Sequence, residues 1–340
     1  MTDLPGARLP SVRGQGALGA AERVVMTVTG PLPANEMGAT NAHEHLFLRS
    51  PALAGQELED PELAVRELRE AAAGGLKSVV EMTPIGCGRR PALMRAASQA
   101  TGMPIIAASG YHRDAHYPDG HWVHSASVDL LADRIETDLL EGMHPADWLE
   151  PSLPLDAARA GVIKAGASYQ HISPAEERRL GAAARAARRT GAAVLVHAEV
   201  GTCGHEILDV LGGHGLPLDR IILSHMDRNP DPELHVEIAA RGAWLEYDTV
   251  GRIKYHPDSA LLELIEAVAR AGHLDRIMLG LDLGRRDYYR SHGGGPGMSY
   301  LLGTFVPRLR RRLGDVATDG ILVVNPAAAF ALAPPAAEVA

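Results

Sequence analysis

The chain has 340 residues, 46% of them hydrophobic but only 4% aromatic, and carries a formal net charge of -9. That acidic balance argues against nucleic acid and anionic membrane surfaces as partners, no apolar run approaches the ~20 residues of a membrane span, and two cysteines cannot form a disulfide framework. The expectation is a protein of the reducing cytoplasm, with a large core built from Ala, Val, Leu and Ile.

Residues 1–22 lack a continuous apolar segment and read as a flexible extension, as does the tail 333–340, leaving 23–332 as one domain. From residue 40 onward, short apolar runs alternate with helix-period segments. Strands are predicted at 40–46, 78–83, 104–110, 161–166, 192–198, 220–225, 243–248 and 276–282. Their near-continuous hydrophobicity is what parallel strands covered on both faces require. Between them, Asp60-Pro61 marks a helix start, and Ser173-Pro174-Ala175-Glu176 is a capping box whose helix should end at Gly191. Asn325-Pro326 is expected to cap a last helix. Eight strand–helix units predict an α/β fold, a (β/α)₈ TIM barrel, with its active site at the C-terminal strand ends. A doubly wound open sheet is the alternative, but no glycine-rich phosphate turn follows the first strand.

The ends of those strands carry an unusual set of residues. The first holds His43-Glu44-His45; strand alternation points both imidazoles to one side and Glu44 to the other, so the two rings can converge on one cation. Lys164, His197, His225 and Asp282 stand at the same end of the fourth, fifth, sixth and eighth strands. Singly, His197 or His225 reads as a hydrogen-bonded core histidine and Asp282 as a helix cap, while a buried lysine is rarer still. Six such residues at matching strand ends point instead to a shared site. Tyr111 directly follows the third strand, and His112, His116, His121 and His124 in the next loop read as solvated histidines. The loops after the seventh and eighth strands contain Arg252, Lys254, Arg285 and Arg286, cations suited to an anionic group.

The segments "GATNAHEHL", "AGVIKAG", "VLVHAE", "IILSHMD" and "IMLGLD" together resemble the phosphotriesterase family of the amidohydrolase superfamily. "VVEMTPIGCGRR", "GYHRDAHYP" and "SHGGGPGMSYLLGTFVPRLRRR" are similar to its phosphotriesterase-homology and phosphorylated-sugar-lactonase branches. The resemblance implies a binuclear centre of two divalent ions, usually zinc, with His43, His45 and Asp282 on one ion and His197 and His225 on the other. It implies that Lys164 bridges the two after N-carboxylation, with Glu199 and Glu44 as the nearby glutamates that could serve instead. A hydroxide shared by the cations would attack the substrate, Asp282 would carry the proton to the leaving group, and Tyr111 would orient the carbonyl. The basic loops and the scarcity of aromatics favour an anionic, phosphorylated sugar lactone as substrate. A phosphotriester, an N-acyl amine and a non-catalytic metal-binding barrel are the alternatives. A homodimer is expected by analogy with relatives.

Overall fold

A computed structural model describes residues 23–335 of the chain. Eight parallel strands form one sheet in sequential order: β3 (Thr40–Glu44), β4 (Ser78–Glu81), β5 (Ile105–Gly110), β6 (Ala160–Ala167), β7 (Val194–Ala198), β8 (Ile221–Ser224), β9 (Trp244–Tyr247) and β10 (Ile277–Leu279). The backbone N–H groups of Leu281 and Asp282 donate to the carbonyl of His43, bringing the last strand back to the first. All eight predicted strands are present, and the barrel is the one expected. Before it lies a hairpin that the sequence reading does not anticipate, β1 (Val24–Thr27) and β2 (Gly30–Pro33). Pro31 and Pro33 hide β2 from a hydrophobic-pattern reading, but an edge strand tolerates them because it need not donate on its open side. The proposed extension 1–22 and most of the tail lie outside the described residues; Ala333 itself donates to the Gly191 carbonyl at 2.9 Å.

Seven helices follow successive strands: α1 (Pro61–Ala73), α2 (Pro91–Thr101), α3 (Val128–Leu140), α4 (Pro174–Thr190), α5 (Gly204–Gly213), α6 (Pro232–Ala240) and α7 (Asp258–Arg270). Their ends follow local chemistry. Asp60 accepts from the amides of Glu62 and Leu63, the Ser173–Glu176 capping box is complete, and Gly191 ends α4 in the left-handed region. Asn325 is a correction. It lies in helical conformation inside a helical stretch running to Phe330, and its amide instead donates to the carbonyls of Leu274 and Ile277.

The barrel interior explains where the site can be. One buried apolar residue from each strand forms a layer: Ala42, Val80, Ile106, Val162, Leu195, Ile222, Trp244 and Met278. Val25 of the hairpin, Met37 and Phe330 close it from below. Lys164, His197 and Glu246 each lie two residues beyond a member of this layer, so strand alternation points them into the barrel above it. The polar groups therefore sit on an apolar floor and open only toward the C-terminal mouth. No described helix is long and apolar enough to cross a membrane.

Candidate active site

The mouth holds a cavity of about 230 Å³ lined by His43, His45, Lys164, His197, His225 and Asp282, the six residues read from the strand ends. The backbone is held in uncommon conformations to bring them together. His225 and Asp282 have φ of +64° and +47°, left-handed values that non-glycine residues adopt at a cost and that concentrate at functional sites. Gly280 is required for closure, since a Cβ there would approach the Cβ of His43 to 2.7 Å.

Each of the four histidines is fixed from behind, and its partner sets its tautomer. His45 Nδ1 is 2.8 Å from Thr83 Oγ1, whose own hydrogen goes to Glu81 Oε1 at 2.6 Å. Thr83 must therefore accept from Nδ1–H, leaving the Nε2 lone pair toward the cavity. His225 Nδ1 donates to Asp248 Oδ1 at 2.8 Å with the same result. His197 is reversed: Nε2 donates to Glu199 Oε2 at 2.5 Å, so Nδ1 carries the lone pair. That lone pair faces His225 Nε2 at 2.7 Å. Burial drives the pKa of His225 down to about 3 and that of His197 well below the usual range, so both rings are neutral. Two acceptor nitrogens facing each other repel, and a cation held by both removes the repulsion. His43 Nδ1 reaches Glu246 Oε2 at 2.8 Å and Asp248 Oδ2 at 3.3 Å. Burial and Lys164 lower its pKa, but Glu246 and Asp248 outweigh them and raise it to about 9, so a cation at Nε2 would displace a proton at neutral pH.

Asp282 divides its carboxylate. Oδ1 lies 3.3 Å from His45 Nε2 and 3.7 Å from His43 Nε2, on the imidazole side. Oδ2 accepts from Arg228 at 2.6 Å and from Arg252 at 3.1 Å. Burial alone would raise its pKa; Arg252, the His45 hydrogen bond and the nearby imidazoles hold it well below the carboxylate range. Among the described residues, Lys164 Nζ has His43 Nε2 as its hydrogen-bond partner, at 3.4 Å, and forms no ion pair with a carboxylate. Burial lowers its pKa, and Asp282, Glu246 and Asp248 only partly restore it.

Comparison with known proteins agrees with this geometry. The family model described as "Phosphotriesterase family" matches residues 23–330. The chain belongs to the phosphotriesterase family. It is 32% identical to a phospho-furanose lactonase from Mycoplasmopsis agalactiae, over 90% of this chain and 91% of that protein. A solved amidohydrolase from Mycoplasma synoviae superposes with a TM-score of 0.88 at 29% identity, covering 92% of each chain. The phosphotriesterase homology protein of Escherichia coli superposes with a TM-score of 0.79 at 31% identity, covering 87% of this chain and 99% of that one.

Members of the phosphotriesterase family are metal-dependent hydrolases, and the donor set here fits metal. His43, His45 and Asp282 offer ligand atoms within 4.8 Å of one another. His43, His225 and Asp248 form a second such group, and His197 Nδ1 and His225 Nε2 line the same cavity as Lys164.

Several expectations change. Tyr111 does not reach the cavity: it is buried, and its hydroxyl donates to the Leu131 carbonyl at 3.1 Å. The reason is strand alternation itself: Ile106 and Ala108 face the barrel interior, so steps of two carry His112 into the mouth and leave Tyr111 on the outer side with Ile105 and Ala107. His112 and His116 line the cavity, whereas His121 and His124 do not. Glu44 points away and accepts from Asn41, Tyr289 and the Leu283 amide. Glu199 lines the cavity but is engaged by His197 and by Arg113 Nε at 2.9 Å. Of the four basic residues, Arg252 is buried on Asp282, Lys254 and Arg285 line the rim, and Arg286 is exposed outside it. Arg228, Glu246 and Asp248 escaped the sequence reading. Glu246 and Asp248 repeat the two-residue spacing of His43 and His45 at a strand end, a signal that could have found the two carboxylates.

Proposed function

We propose that the chain is a binuclear-metal hydrolase that opens an anionic sugar lactone, most plainly a phosphorylated one. What carries the reading is the conjunction of two features in one cavity: lone pairs converging beside Lys164, and a cationic rim. Two divalent ions, zinc by the donor chemistry, would lower the pKa of the attacking water and polarise the scissile carbonyl. His43, His45 and Asp282 would hold one ion and His197 and His225 the other. Lys164 would join them: its neutral amine adds to the carbon of carbon dioxide, loses one proton to water, and becomes an N-carboxylate with two ligand oxygens. The depressed Lys164 pKa and the lack of a paired carboxylate among the described residues support that amine.

Asp282 and Glu199 are the carboxylates lining the cavity, and Glu199 is already engaged with His197 and Arg113. Asp282 is therefore the residue assigned to pass the proton to the leaving alkoxide. Arg228 and Arg252 hold its outer oxygen and fix the direction of the inner one. At the rim, Lys254 Nζ donates to Tyr288 Oη at 2.8 Å and has no acidic partner within 4 Å among the described residues. Arg285 has only an exposed contact to Asp287 at 3.4 Å. Cations with so little neutralisation suit a phosphate. Tyr255 and Tyr288 also line the mouth, but cations lie over both rings, which disfavours an apolar triester pocket. The names of two relatives support the reading: one acts on phospho-furanose lactones, and the Escherichia coli protein holds phosphate in its active site.

The test is proton release from paired lactones, with and without phosphate, set against an N-acyl amine and a phosphotriester. Faster turnover of the phosphorylated lactone is expected. Equal rates on both lactones, or preference for either other class, would sink the substrate assignment.

A further inference from the structure

Six imidazoles line the cavity, and the hydrogen bonds behind them sort them into two kinds. His45, His197 and His225 donate backward and keep a lone pair for the cavity; His43 also donates backward, and its Nε2 becomes an acceptor when a cation displaces the proton. His112 is the opposite. Its Nδ1 accepts the backbone N–H of Arg113 at 2.8 Å, so a neutral ring carries its proton on Nε2. His116 Nδ1 lies 3.0 Å from Ser50 Oγ. That oxygen caps the short helical turn Pro51–Leu53 by accepting from the Ala52 amide, and buried Ser50 has no other acceptor among the described residues, so its hydrogen is satisfied by donating to the imidazole. His116 then also carries its proton on Nε2. Neither Nε2 has a protein partner among the described residues.

We propose, resting on the lactonase reading above, that His112 and His116 are substrate-recognition donors, presenting Nε2–H groups to acceptor oxygens of the sugar ring. An N–H cannot ligate a cation, so these two are not additional metal ligands. Their placement fits recognition. The rings stack with centroids 3.5 Å apart and planes 17° from parallel, and His112 lies 4.6 Å from the His197 ring. The loop is fixed in advance: Tyr117 Oη accepts from the His112 amide at 2.8 Å and donates to the Ile85 carbonyl at 2.9 Å. It follows β5, four strands around an eight-strand ring from β9, whose loop carries Lys254. A substrate whose anion sits on the basic rim therefore reaches the pair by extending across the centre. The ring hydroxyls between its two ends supply the acceptors.

The experiment joins spectroscopy with kinetics. Nitrogen-15 NMR of histidine-labelled, zinc-loaded protein, assigned through His112→Gln and His116→Gln, should show both rings as Nε2–H tautomers. His112→Leu and His116→Leu should keep the wild-type metal content. Each should lose roughly 2–13-fold in kcat/KM on a hydroxylated phosphorylated lactone, mainly through KM. The glutamine variants, which retain an N–H near the Nε2 position, should recover most of that loss. A deoxy lactone lacking the ring hydroxyls should not distinguish the variants. Nδ1–H tautomers, metal loss in the leucine variants, or equal losses on both lactones would overturn the proposal. A wild type that opens no lactone would overturn the substrate reading, and the tautomer spectrum would then decide the donor pair by itself.

Discussion

At the inner end of the cavity the candidate histidine ligands are buried and braced; at the rim the charged side chains reach solvent and are loosely tied. His43, Lys164 and His225 are at most 1% exposed, and the carboxylates behind the histidines, Glu246 and Asp248, are fully enclosed. Arg285 pairs with an aspartate that is itself 59% exposed, and Lys254 has only a tyrosine. The inner groups were desolvated when the chain folded, so their orientation is fixed before anything binds. The rim groups keep much of their water and lose it only on binding. Substitutions inside should therefore act on metal and turnover, and those at the rim on substrate choice.

The largest effect should come from Asp282. Asp282→Asn is expected to lower kcat by about 10²–10⁴-fold while substrate binding changes far less. Near-normal turnover would show that another group moves the proton. Lys164→Ala should reduce the metal content below two ions per chain, with activity partly restored by a short added carboxylate. An intact mass without the extra carbon dioxide in active protein would refute the carbamate. Removing a brace should cost less than removing a ligand. Asp248→Asn, which weakens the hydrogen bonds of both His43 and His225, should weaken metal binding by roughly 10–100-fold in a chelator competition. If it leaves affinity unchanged, the inner site is not held by its supporting carboxylates.

Rim effects should be smaller and selective. Lys254→Met should lower kcat/KM on a phosphorylated lactone by about 10-fold, the lower end for a charge-assisted hydrogen bond, and leave a neutral lactone nearly unchanged. Equal loss on both would remove the contrast between rim and interior. The smallest effect belongs to Arg286→Ala. Its side chain lies outside the cavity, and a surface change of this kind is worth about 2-fold or less on either lactone.

The eight strands, the helix caps at Asp60, Ser173 and Gly191, and the six strand-end residues were all readable in the sequence by itself. A parallel strand buried on both faces is almost wholly apolar, so a lysine or histidine at its end stands out. The local patterns that carry such information, alternation and capping, act over a few residues. Tertiary structure decided what depends on partners far along the chain. The tautomer of His45 is set by Thr83, 38 residues away, and that of His43 by Glu246, 203 residues away. Arg228 and Arg252 acquire their place only when the folded barrel brings them to Asp282. Alternation also fails wherever the backbone leaves the strand. His225, at a φ of +64°, stands three residues beyond Ile222 of the apolar layer and still lines the mouth, a placement that no period of two could foresee.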